Sequence, residues 1–422
     1  MATWIVDDSN NGDFSTLAEA IAAASNGDEI IVTGGEDNIH NEADIVVNKE
    51  LTITSDADGA TIDADGAGRV FTVDDGDDSS QINVTLKDLI ITGGSTEGAG
   101  GGILNRENLT VLDSEVTGNS AQASGGGISN TGTIEVKNST VSGNSAGFGG
   151  GGIFSRGEAT LKNSTVSGNT AFVGGGVFNY LGGTMEIKNT TVNGNSANAD
   201  GGGVLTVFAS TDVKNSLVTG NSAGDDGGGF FTYSGTLTVK NTTVSGNSGI
   251  YGGGITSQLS DTTITNGRVE DNNSTFGGGI ASLASNLNVK TKFANNTSVF
   301  GDDDVLELDN LIIGTSNVDI LIGTAENDQI VGLGGDDTLG GQGGDDIIFG
   351  NEGADIFVLA ANDGVSTFGD FTDGEDLIGL AGGLTFADLT LSGDTISSNG
   401  ETLAIVTGID TTTLTTTDFT IV

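Results

Sequence analysis

Residues 141–154 read VSGNSAGFGGGGIF, and close copies of this stretch recur along most of the chain. An asparagine column runs through the copies at spacings of 24 to 26 residues. Its members are Asn119, Asn144, Asn169, Asn195, Asn221, Asn247, Asn272 and Asn296. A second column, in which three glycines precede an apolar residue, repeats in phase from Ile103 to Ile280. Two columns in phase indicate an internal repeat of about 25 residues.

Apolar and polar residues alternate within each repeat. In GTIEVKNSTVSGNSA, residues 132–146, the apolar Ile134, Val136 and Val141 are separated by polar residues. This pattern predicts three short strands per repeat, each with one buried face. A unit this small cannot bury its own apolar face, so it must stack on its neighbours. The fold class predicted is therefore all-β: a right-handed parallel β-helix, a solenoid with coils of about 25 residues.

Glycine and proline usage agrees with stacked coils. The chain has 72 Gly and 0 Pro, and proline would remove a ladder hydrogen bond at most strand positions. A further asparagine column predicts left-handed turns whose side-chain amides bond from coil to coil, in preference to glycosylation sites. It comprises Asn138, Asn163, Asn189, Asn215, Asn241 and Asn266.

The charge balance excludes several classes of partner. The chain has 58 Asp plus Glu against 13 Lys plus Arg, a formal charge of -45, so it repels nucleic acid and anionic lipid. It has 0 Cys, which excludes disulfides and thiolate metal sites. No apolar run approaches the roughly 20 residues of a membrane span. The single histidine, His40, is predicted to lie on the surface, and the amino terminus shows no secretory signal pattern.

From residue 314 the period changes to nine, in the units GTSNVDILI, GTAENDQIV, GLGGDDTLG, GQGGDDIIF and GNEGADIFV. These units match the calcium-binding nonapeptide G-G-x-G-x-D-x-U-x. Calcium needs six to eight oxygens, which two stacked loops supply together. Two nonapeptides form one turn, which pairs Asp319 with Asp337, Asp328 with Asp346, and Asp337 with Asp355. About three well-formed sites follow from this pairing.

The predicted calcium ligands are the column aspartates and the loop glycines. They are Asp319, Asp328, Gly332, Gly334, Asp337, Gly341, Gly343, Asp346, Gly350 and Asp355. Asn317 and Glu326 replace glycine in the first two units, so the sites that use these units are predicted to be weak. The acidic runs at 74–78 and 301–304 are interpreted as solvated loops.

The nonapeptides resemble those of RTX (hemolysin-type) proteins. STFGDFTDGEDLIGL, from residue 366, is similar to the segment after their β-roll, and residues 403–422 resemble the uncleaved signal of type I secretion. This resemblance implies export to the cell surface or medium and folding in extracellular calcium. The GGGI repeats resemble polymorphic outer-membrane-type β-helices. The first 35 residues resemble the start of the pectin-lyase-like superfamily, which implies a capping helix through Phe14, Leu17 and Ile21, with Asp13 as N-cap.

Three domains are predicted: a β-helix with an N-terminal capping helix over 1–300, a calcium-binding RTX parallel β-roll over 301–358, and a secretion-associated region over 359–422. Enzymes that combine a β-helix with RTX modules, such as mannuronan epimerases, resemble this domain order. Their Asp-Pro-His signature is absent, and the lysine column from Lys137 to Lys240 has the repeat period of a solvated face. We therefore expect a calcium-binding structural or adhesive protein that contacts itself or a surface polysaccharide matrix. A polysaccharide lyase or epimerase is the alternative, and an ice-binding solenoid, suggested by the ranks at Thr140 and Ser142, is a lesser one.

Overall fold

The computed structural model describes residues 1–7, 9, 11–33, 39–56, 59–77, 79–300 and 303–422. The chain forms two compact units, Met1–Ile280 with Ser285–Thr297 and Ala281–Ala284 with Ser298–Val422. Strands in both units pair mainly in parallel with the strand one turn later in the chain. The predicted all-β, right-handed parallel solenoid is confirmed.

The described residues of the first unit form three parallel sheets. Sheet A contains Thr3–Val6, Asp28–Val32, Ile39–Asn41, Leu51–Ser55, Ala60–Asp63, Asn83–Lys87, Leu89–Thr92, Asn108–Leu112, Glu115–Thr117, Thr133–Lys137, Thr140–Ser142, Glu158–Lys162, Thr165–Ser167, Thr184–Lys188, Thr191–Asn193, Ser210–Lys214, Leu217–Thr219, Thr236–Lys240, Thr243–Ser245, Asp261–Glu270 and Asn286–Ala294. Sheet B contains Ile45–Val47, Phe71–Val73, Ile103–Asn105, Ile128–Asn130, Ile153–Ser155, Val177–Tyr180, Val204–Val207, Phe230–Tyr233 and Ile255–Gln258. Sheet C contains Ser95–Thr96, Ser120–Ala121, Ser145–Ala146, Thr170–Ala171, Ser196–Ala197, Ser222–Ala223, Ser248–Tyr251 and Asn273–Phe276. The strands Ile280–Leu283, Thr297–Phe300 and Val305–Leu308 follow.

A central coil has four strands, so the prediction of three is wrong. Between Ile153–Ser155 in sheet B and Thr170–Ala171 in sheet C, sheet A receives two segments, Glu158–Lys162 and Thr165–Ser167. Asn163 separates them with a φ of 52°. This left-handed residue bends the chain, yet both segments still pair with sheet A of the next coil.

Buried side chains of sheet A build the core of the first unit. Each TVS-type strand points its valine inward, and successive valines stack in register. This column comprises Val116, Val141, Val166, Val192, Val218 and Val244, all fully buried. Because apolar and polar residues alternate along each strand, the inward valines of successive coils stack into one continuous apolar column. No single repeat could bury these side chains alone.

The buried asparagines form a ladder along the solenoid axis. The backbone N–H of Asn144 donates to Oδ1 of Asn169 at 3.0 Å, and its Nδ2 donates to the same oxygen at 3.0 Å and to Val116 O at 2.9 Å. The same bonds repeat from Asn119 to Asn272. Each amide thus satisfies backbone groups at a turn where the sheet ladder is interrupted.

The triple-glycine column is required by close backbone approach. A Cβ on Gly126 would meet the carbonyl oxygens of Ser145 and of Gly151, the latter at 2.5 Å. Both oxygens belong to the next coil. Coils can stack at the strand spacing here only because the side chain is absent.

The helix Leu17–Ala23 buries the predicted Leu17 and Ile21, together with Ala20. The predicted inclusion of Phe14 is wrong, because Phe14 precedes the helix and forms a β-bridge with Val6. The N-cap of the helix is Thr16, whose side chain accepts from Glu19 N, so the assignment of Asp13 as N-cap is wrong. The Glu42 carboxylate accepts the N–H groups of Leu17 and Ala18 at 2.8 and 2.9 Å. A distant carboxylate therefore caps the first turn, and local sequence does not show it.

His40 is buried, which contradicts the predicted surface position. It is 4% exposed in the strand Ile39–Asn41, where it pairs with Ile62. Its Nε2 lies 2.8 Å from Thr33 O. The inward orientation follows the strand period of two, which the polar sequence EDNIHNEAD conceals.

The second unit is built around two sheets. Sheet D contains Asn310–Ile313, Asp328–Gly334, Asp346–Glu352, Ser366–Phe368, Glu401–Val406, Thr395–Ser398 and Leu389–Ser392. Sheet E contains Ile320–Ile322, Thr338–Gly340, Ile356–Leu359, Leu377–Leu380 and Phe419–Ile421. Short 3-10 helices span Phe386–Asp388 and Thr411–Thr413. In sheet D the strand Thr395–Ser398 pairs antiparallel with both Leu389–Ser392 and Glu401–Val406. The other pairings in this sheet, including Ser366–Phe368 with Glu401–Val406, are parallel.

Candidate calcium sites

The nonapeptide loops connect sheets D and E, and two of them make one turn. Ile320 pairs with Thr338, and Thr338 pairs with Ile356, which fixes a turn of 18 residues. The apolar residue of each unit points into the core between the sheets. These residues are Leu321, Ile330, Leu339, Ile348 and Phe357. The inward apolar column holds the aspartate loops above one another.

The aspartates that the sequence pairs are stacked by the fold. Oδ1 of Asp337 accepts the backbone N–H of Asp319 at 2.8 Å, and Oδ1 of Asp355 accepts that of Asp337 at 2.8 Å. On the other side, Oδ1 of Asp346 accepts the N–H of Asp328 at 2.9 Å. Each carboxylate therefore has one oxygen committed to the preceding turn.

The second oxygen is left bare in the last three loops. Oδ2 of Asp337, Asp346 and Asp355 is buried without a hydrogen-bond partner among the described residues, and each side chain belongs to a residue only 1% exposed. Burial raises the pKa of Asp346 to about 7 and the pKa of Asp355 to about 6. A buried, unpaired carboxylate oxygen is costly. A hard divalent cation satisfies it, so these residues fit calcium.

The first two loops differ at the same oxygen. Oδ2 of Asp319 accepts from Thr315 N at 2.6 Å and from its hydroxyl at 2.8 Å, and Oδ2 of Asp328 accepts from Thr324 N. Thr315 and Thr324 are the second residues of their units. In the last three loops the second residue of the unit has a positive φ. These residues are Leu333, Gln342 and Asn351, with φ of 79°, 76° and 66°. The weak sites predicted at the first two units thus contain carboxylates that already have protein donors.

Three of the predicted glycines make room for these carboxylates. A Cβ on Gly332 would overlap Asp337 Oδ2 and lie 2.8 Å from Gly350 O, in the next turn. Added Cβ atoms on Gly341 and Gly350 would overlap Oδ2 of Asp346 and Asp355 in the same way. Carboxylate and carbonyl oxygens therefore converge beside a missing side chain.

Gly334 and Gly343 are less restricted. At Gly334 the nearest atom to an added Cβ is 3.6 Å away, and at Gly343 it is 3.1 Å away. The following residues carry the strict requirement: Gly335 and Gly344 have φ of 104° and 85°, and a Cβ there would lie 2.5 Å from backbone of the previous turn. Sequence reasoning missed these two positions, although GG at the third and fourth positions of a unit is the available signal.

Another acidic cluster lies in the first unit. Carboxylate oxygens of Asp74, Asp75 and Glu107 lie within 4.8 Å of one another. Glu107 accepts from Ile82 N at 3.0 Å, and Asp74 accepts from Arg106 at 2.6 Å. These carboxylates already have protein donors. Residue 78 of the acidic run 74–78, and residues 301 and 302 of the run 301–304, lie outside the described residues.

The lysine column lies on the outward face of sheet A. Lys137, Lys162 and Lys188 pair in register from coil to coil, and Lys214 contacts Glu186 at 3.6 Å and Asp212 at 2.5 Å. The two Lys214 contacts are partly exposed ion pairs, as expected on a solvated face. Within the described ranges, no helix is long and apolar enough to cross a bilayer.

The fold and the carboxylate loops define a calcium-binding parallel β-solenoid. Comparison with protein families matches residues 151–301 to the right handed beta helix region. Residues 313–348, 322–357 and 341–364 match the RTX calcium-binding nonapeptide repeat. The chain therefore carries a right-handed β-helix region and RTX repeats that bind calcium.

Similar solved structures include a pectate lyase, a rhamnogalacturonan lyase and a pectin methylesterase. A pectate lyase is 15% identical, covering 63% of this chain and 78% of its own, with a TM-score of 0.36. A rhamnogalacturonan lyase is 14% identical, with coverages of 72% and 90% and a TM-score of 0.31. Pectin methylesterase from Aspergillus niger is 13% identical, with coverages of 73% and 89% and a TM-score of 0.28. No curated protein gives a significant match.

Proposed function

We propose that this protein is a secreted, calcium-requiring structural or adhesive protein of the cell surface or extracellular matrix, which assembles with copies of itself. The observation that carries this proposal is the aromatic face, an apolar cluster on the outer side of sheet B whose centre is buried and whose border is open to solvent. Calcium loading of the RTX turns then makes the folded, assembly-competent form available only outside the cell, where calcium is millimolar.

The aromatic face comprises the outward side chains of sheet B between residues 154 and 233, with the loop residues that border them. Phe154, Phe178, Leu205 and Phe231 form a cluster in which each side chain is buried, with the half-buried Tyr180 and Tyr233 packed against it. Rings from adjacent coils contact each other, for example Phe154 and Phe178 at 5.4 Å between centroids. Arg156 lies over Tyr180 at 5.1 Å. Aromatic residues and arginine are the residue types enriched at protein interfaces.

Large apolar side chains at the border of this face remain open to solvent. Phe148 is 53% exposed and Phe208 is 49% exposed. Phe208 and Leu181 also have positive φ, at 50° and 43°, which is unfavourable for bulky residues. A strained and half-exposed apolar border is typical of a contact surface.

Electron microscopy of the full-length protein tests this proposal. With calcium we expect ordered fibres or layers, and with chelator we expect them to disappear. Phe148→Ser and Phe208→Ser should each reduce assembly, whereas Val46→Ser, at a 49% exposed position elsewhere on sheet B, should not. Monomers in every calcium-containing sample would contradict the proposal.

We further propose that the chain is not an enzyme. Support comes from the lysine column, whose members lie on the outward face of sheet A, where the contacts of Lys214 with Glu186 and Asp212 are partly exposed ion pairs. Incubation with alginate and pectin should leave unsaturated uronate absorbance and the epimer ratio unchanged. A calcium-dependent change in either would favour the lyase or epimerase alternative.

We also propose that the protein is exported by type I secretion. The proposed domain limits at residues 300 and 358 separate the β-helix, the RTX β-roll and the secretion-associated region. RTX repeats are typical of secreted proteins. The tail that resembles a secretion signal ends in the strand Phe419–Ile421, which pairs with sheet E. A variant lacking residues 418–422 should accumulate inside cells that carry the exporter, while the full chain reaches the medium. Equal export of both would contradict this assignment.

A further inference from the structure

The last coil of sheet A, the strand Asn286–Ala294, departs from the repeat at its turn. It pairs in register with the preceding strand on both sides of a bulge. Within the bulge, Asn266 and Gly267 lie opposite the single residue Thr291. One turn residue is therefore lost from the final coil, and the left-handed asparagine of the earlier turns has no counterpart in this strand.

A depression of about 500 Å³ lies at this irregularity. Residues 241–243, 266–268 and 290–292 line it, so three successive coils contribute. Gly267 occupies the position at which the preceding coil has the buried Thr242, and it supplies no side chain. The missing side chain and the shortened turn leave room for a small ligand.

Two polar side chains at the depression lack a partner in the described part of the chain. Nδ2 of Asn241 donates to Oδ1 of Asn215 at 3.1 Å, as earlier members of this exposed column do. The Asn266 side chain has no hydrogen-bond partner among the described residues, and the buried Oγ1 of Thr291 has none either. An amide and a hydroxyl are therefore available to a ligand.

The charged residues that line the depression are all basic. They are Arg268, Lys290 and Lys292, three of the 13 Lys plus Arg in the chain. Arg268 contacts Glu270 at 3.1 Å, which uses one of its five N–H groups. Lys290 and Lys292 form no ion pair with any described residue. The depression therefore carries positive charge that the protein does not neutralise.

Arg268 and Lys292 are direct cross-strand neighbours, and both are exposed. Like charges placed directly opposite each other destabilise a sheet. An anion beside them removes this repulsion and accepts charge-assisted hydrogen bonds. Because the charged groups are donors without acceptor capacity, they fit an oxyanion and exclude a metal ion.

We propose that this depression binds a tetrahedral oxyanion, as free sulfate or phosphate or as an ester group on a polymer, with Arg268, Lys290 and Lys292 as its charged contacts. Asn266 and Thr291 complete the set of donors. The formal charge of -45 repels anions from the rest of the surface, so the stoichiometry is one free oxyanion per chain. This inference concerns the β-helix alone and does not depend on the proposed adhesive function.

Isothermal titration calorimetry of the calcium-loaded, full-length protein with sodium sulfate tests the site, with sodium chloride at equal ionic strength as the reference. We expect saturable binding of one sulfate per chain. Lys290→Gln and Lys292→Gln should each weaken it about tenfold or more, since hydrogen bonds to charged groups are the strong ones. The matched control is Lys137→Gln, which removes the same charge from sheet A outside the depression and should leave binding unchanged.

Dextran sulfate and uncharged dextran distinguish the two sources of the oxyanion. Binding of sodium sulfate assigns the site to the free ion, and binding of dextran sulfate alone assigns it to the polymer ester. In both cases Lys292→Gln must weaken binding, and uncharged dextran must not bind.

Circular dichroism and melting of the variants in chloride should match the wild type, which separates lost binding from lost folding. A wild-type protein that binds neither sodium sulfate nor dextran sulfate would overturn the proposal. An equal loss of binding in Lys137→Gln would overturn it as well, because the attraction would then be one of general charge.

Discussion

At the residue scale, the calcium sites depend on which carboxylate oxygen lacks a protein donor. The nine-residue spacing identifies the aspartate column, and it places Asp319 and Asp337 in the same class. The structure separates them, because Thr315 donates to Asp319 Oδ2 while Asp337 Oδ2 is bare. Spacing cannot make this distinction, since it depends on the direction of one backbone N–H group.

Asp337→Asn should therefore weaken calcium binding far more than Asp319→Asn. Asparagine keeps an oxygen for the ladder bond but loses ligand charge at the bare position, so we expect a loss of about tenfold or more in calcium affinity. The increase in melting temperature on calcium addition should shrink in Asp337→Asn and stay nearly intact in Asp319→Asn. Equal effects in the two variants would contradict this assignment of roles.

Gly341→Ala should destabilise the second unit because the new methyl group overlaps the Asp346 carboxylate. Overpacking of this kind costs about 1–3 kcal/mol. Gly334→Ala is the matched control, since the nearest atom to its Cβ is 3.6 Å away. Urea denaturation of the calcium-loaded protein measures the stability of both variants. Similar midpoints would contradict the claim that Gly341 makes room for the Asp346 carboxylate.

A half-buried aspartate in the β-helix, Asp226, makes stability depend on pH. Burial, with Asp200 and Asp225 nearby, raises the pKa of Asp226 from 3.8 to about 7. Because the folded pKa lies above the ordinary value, the neutral carboxyl stabilises the fold at low pH, and that contribution is lost as pH rises through about 7.

Asp226→Asn should therefore raise the melting temperature of the β-helix at pH 8 and change it little at pH 4 or below. Asp225→Asn, which alters the exposed neighbour, should change it little at either pH. Melting curves followed by circular dichroism at the two pH values provide the measurement. A similar shift of Asp226→Asn at both would contradict the assigned pKa.

At the element scale, the repeat period predicts stacking, and the turn residues decide how many strands a coil has. The two asparagine columns look alike in sequence, yet one is buried and bonds backbone, while the other is exposed and takes the left-handed turn. Asn169 and Asn163 represent the two. The strand count follows from the left-handed turn residue, and the Thr16 cap follows from a bond to Glu19 three residues later, so both signals lie in the local sequence. The Glu42 carboxylate that also caps this helix could not be predicted, because it comes from a distant part of the chain.

Asn169→Ala should cost about 3 kcal/mol or more, since it leaves several buried backbone and amide groups without partners. These include Val141 O and the N–H of Asn144. Asn163→Gly keeps the positive φ at an exposed turn and should cost far less. Chemical denaturation of the β-helix compares them, and equal losses would show that the buried ladder adds little stability.

At the scale of the whole molecule, a formal charge of -45 and RTX repeats make calcium the partner that the chain selects. Repeat length, the stacked coils and the calcium loops could all be predicted from phased columns. The aromatic face could not, because its rings come from different repeats and meet only when the coils stack in register. His40 shows the same limit, since its burial follows from strand pairing.

The most direct test of the account is a calcium titration of the chelator-stripped protein, followed by circular dichroism and thermal melting. The account predicts that calcium raises the β-sheet signal and the melting temperature of the RTX turns. A variant combining Asp337→Asn, Asp346→Asn and Asp355→Asn should lose this response. A wild-type protein whose spectrum and melting are identical in EDTA and in millimolar calcium would contradict it.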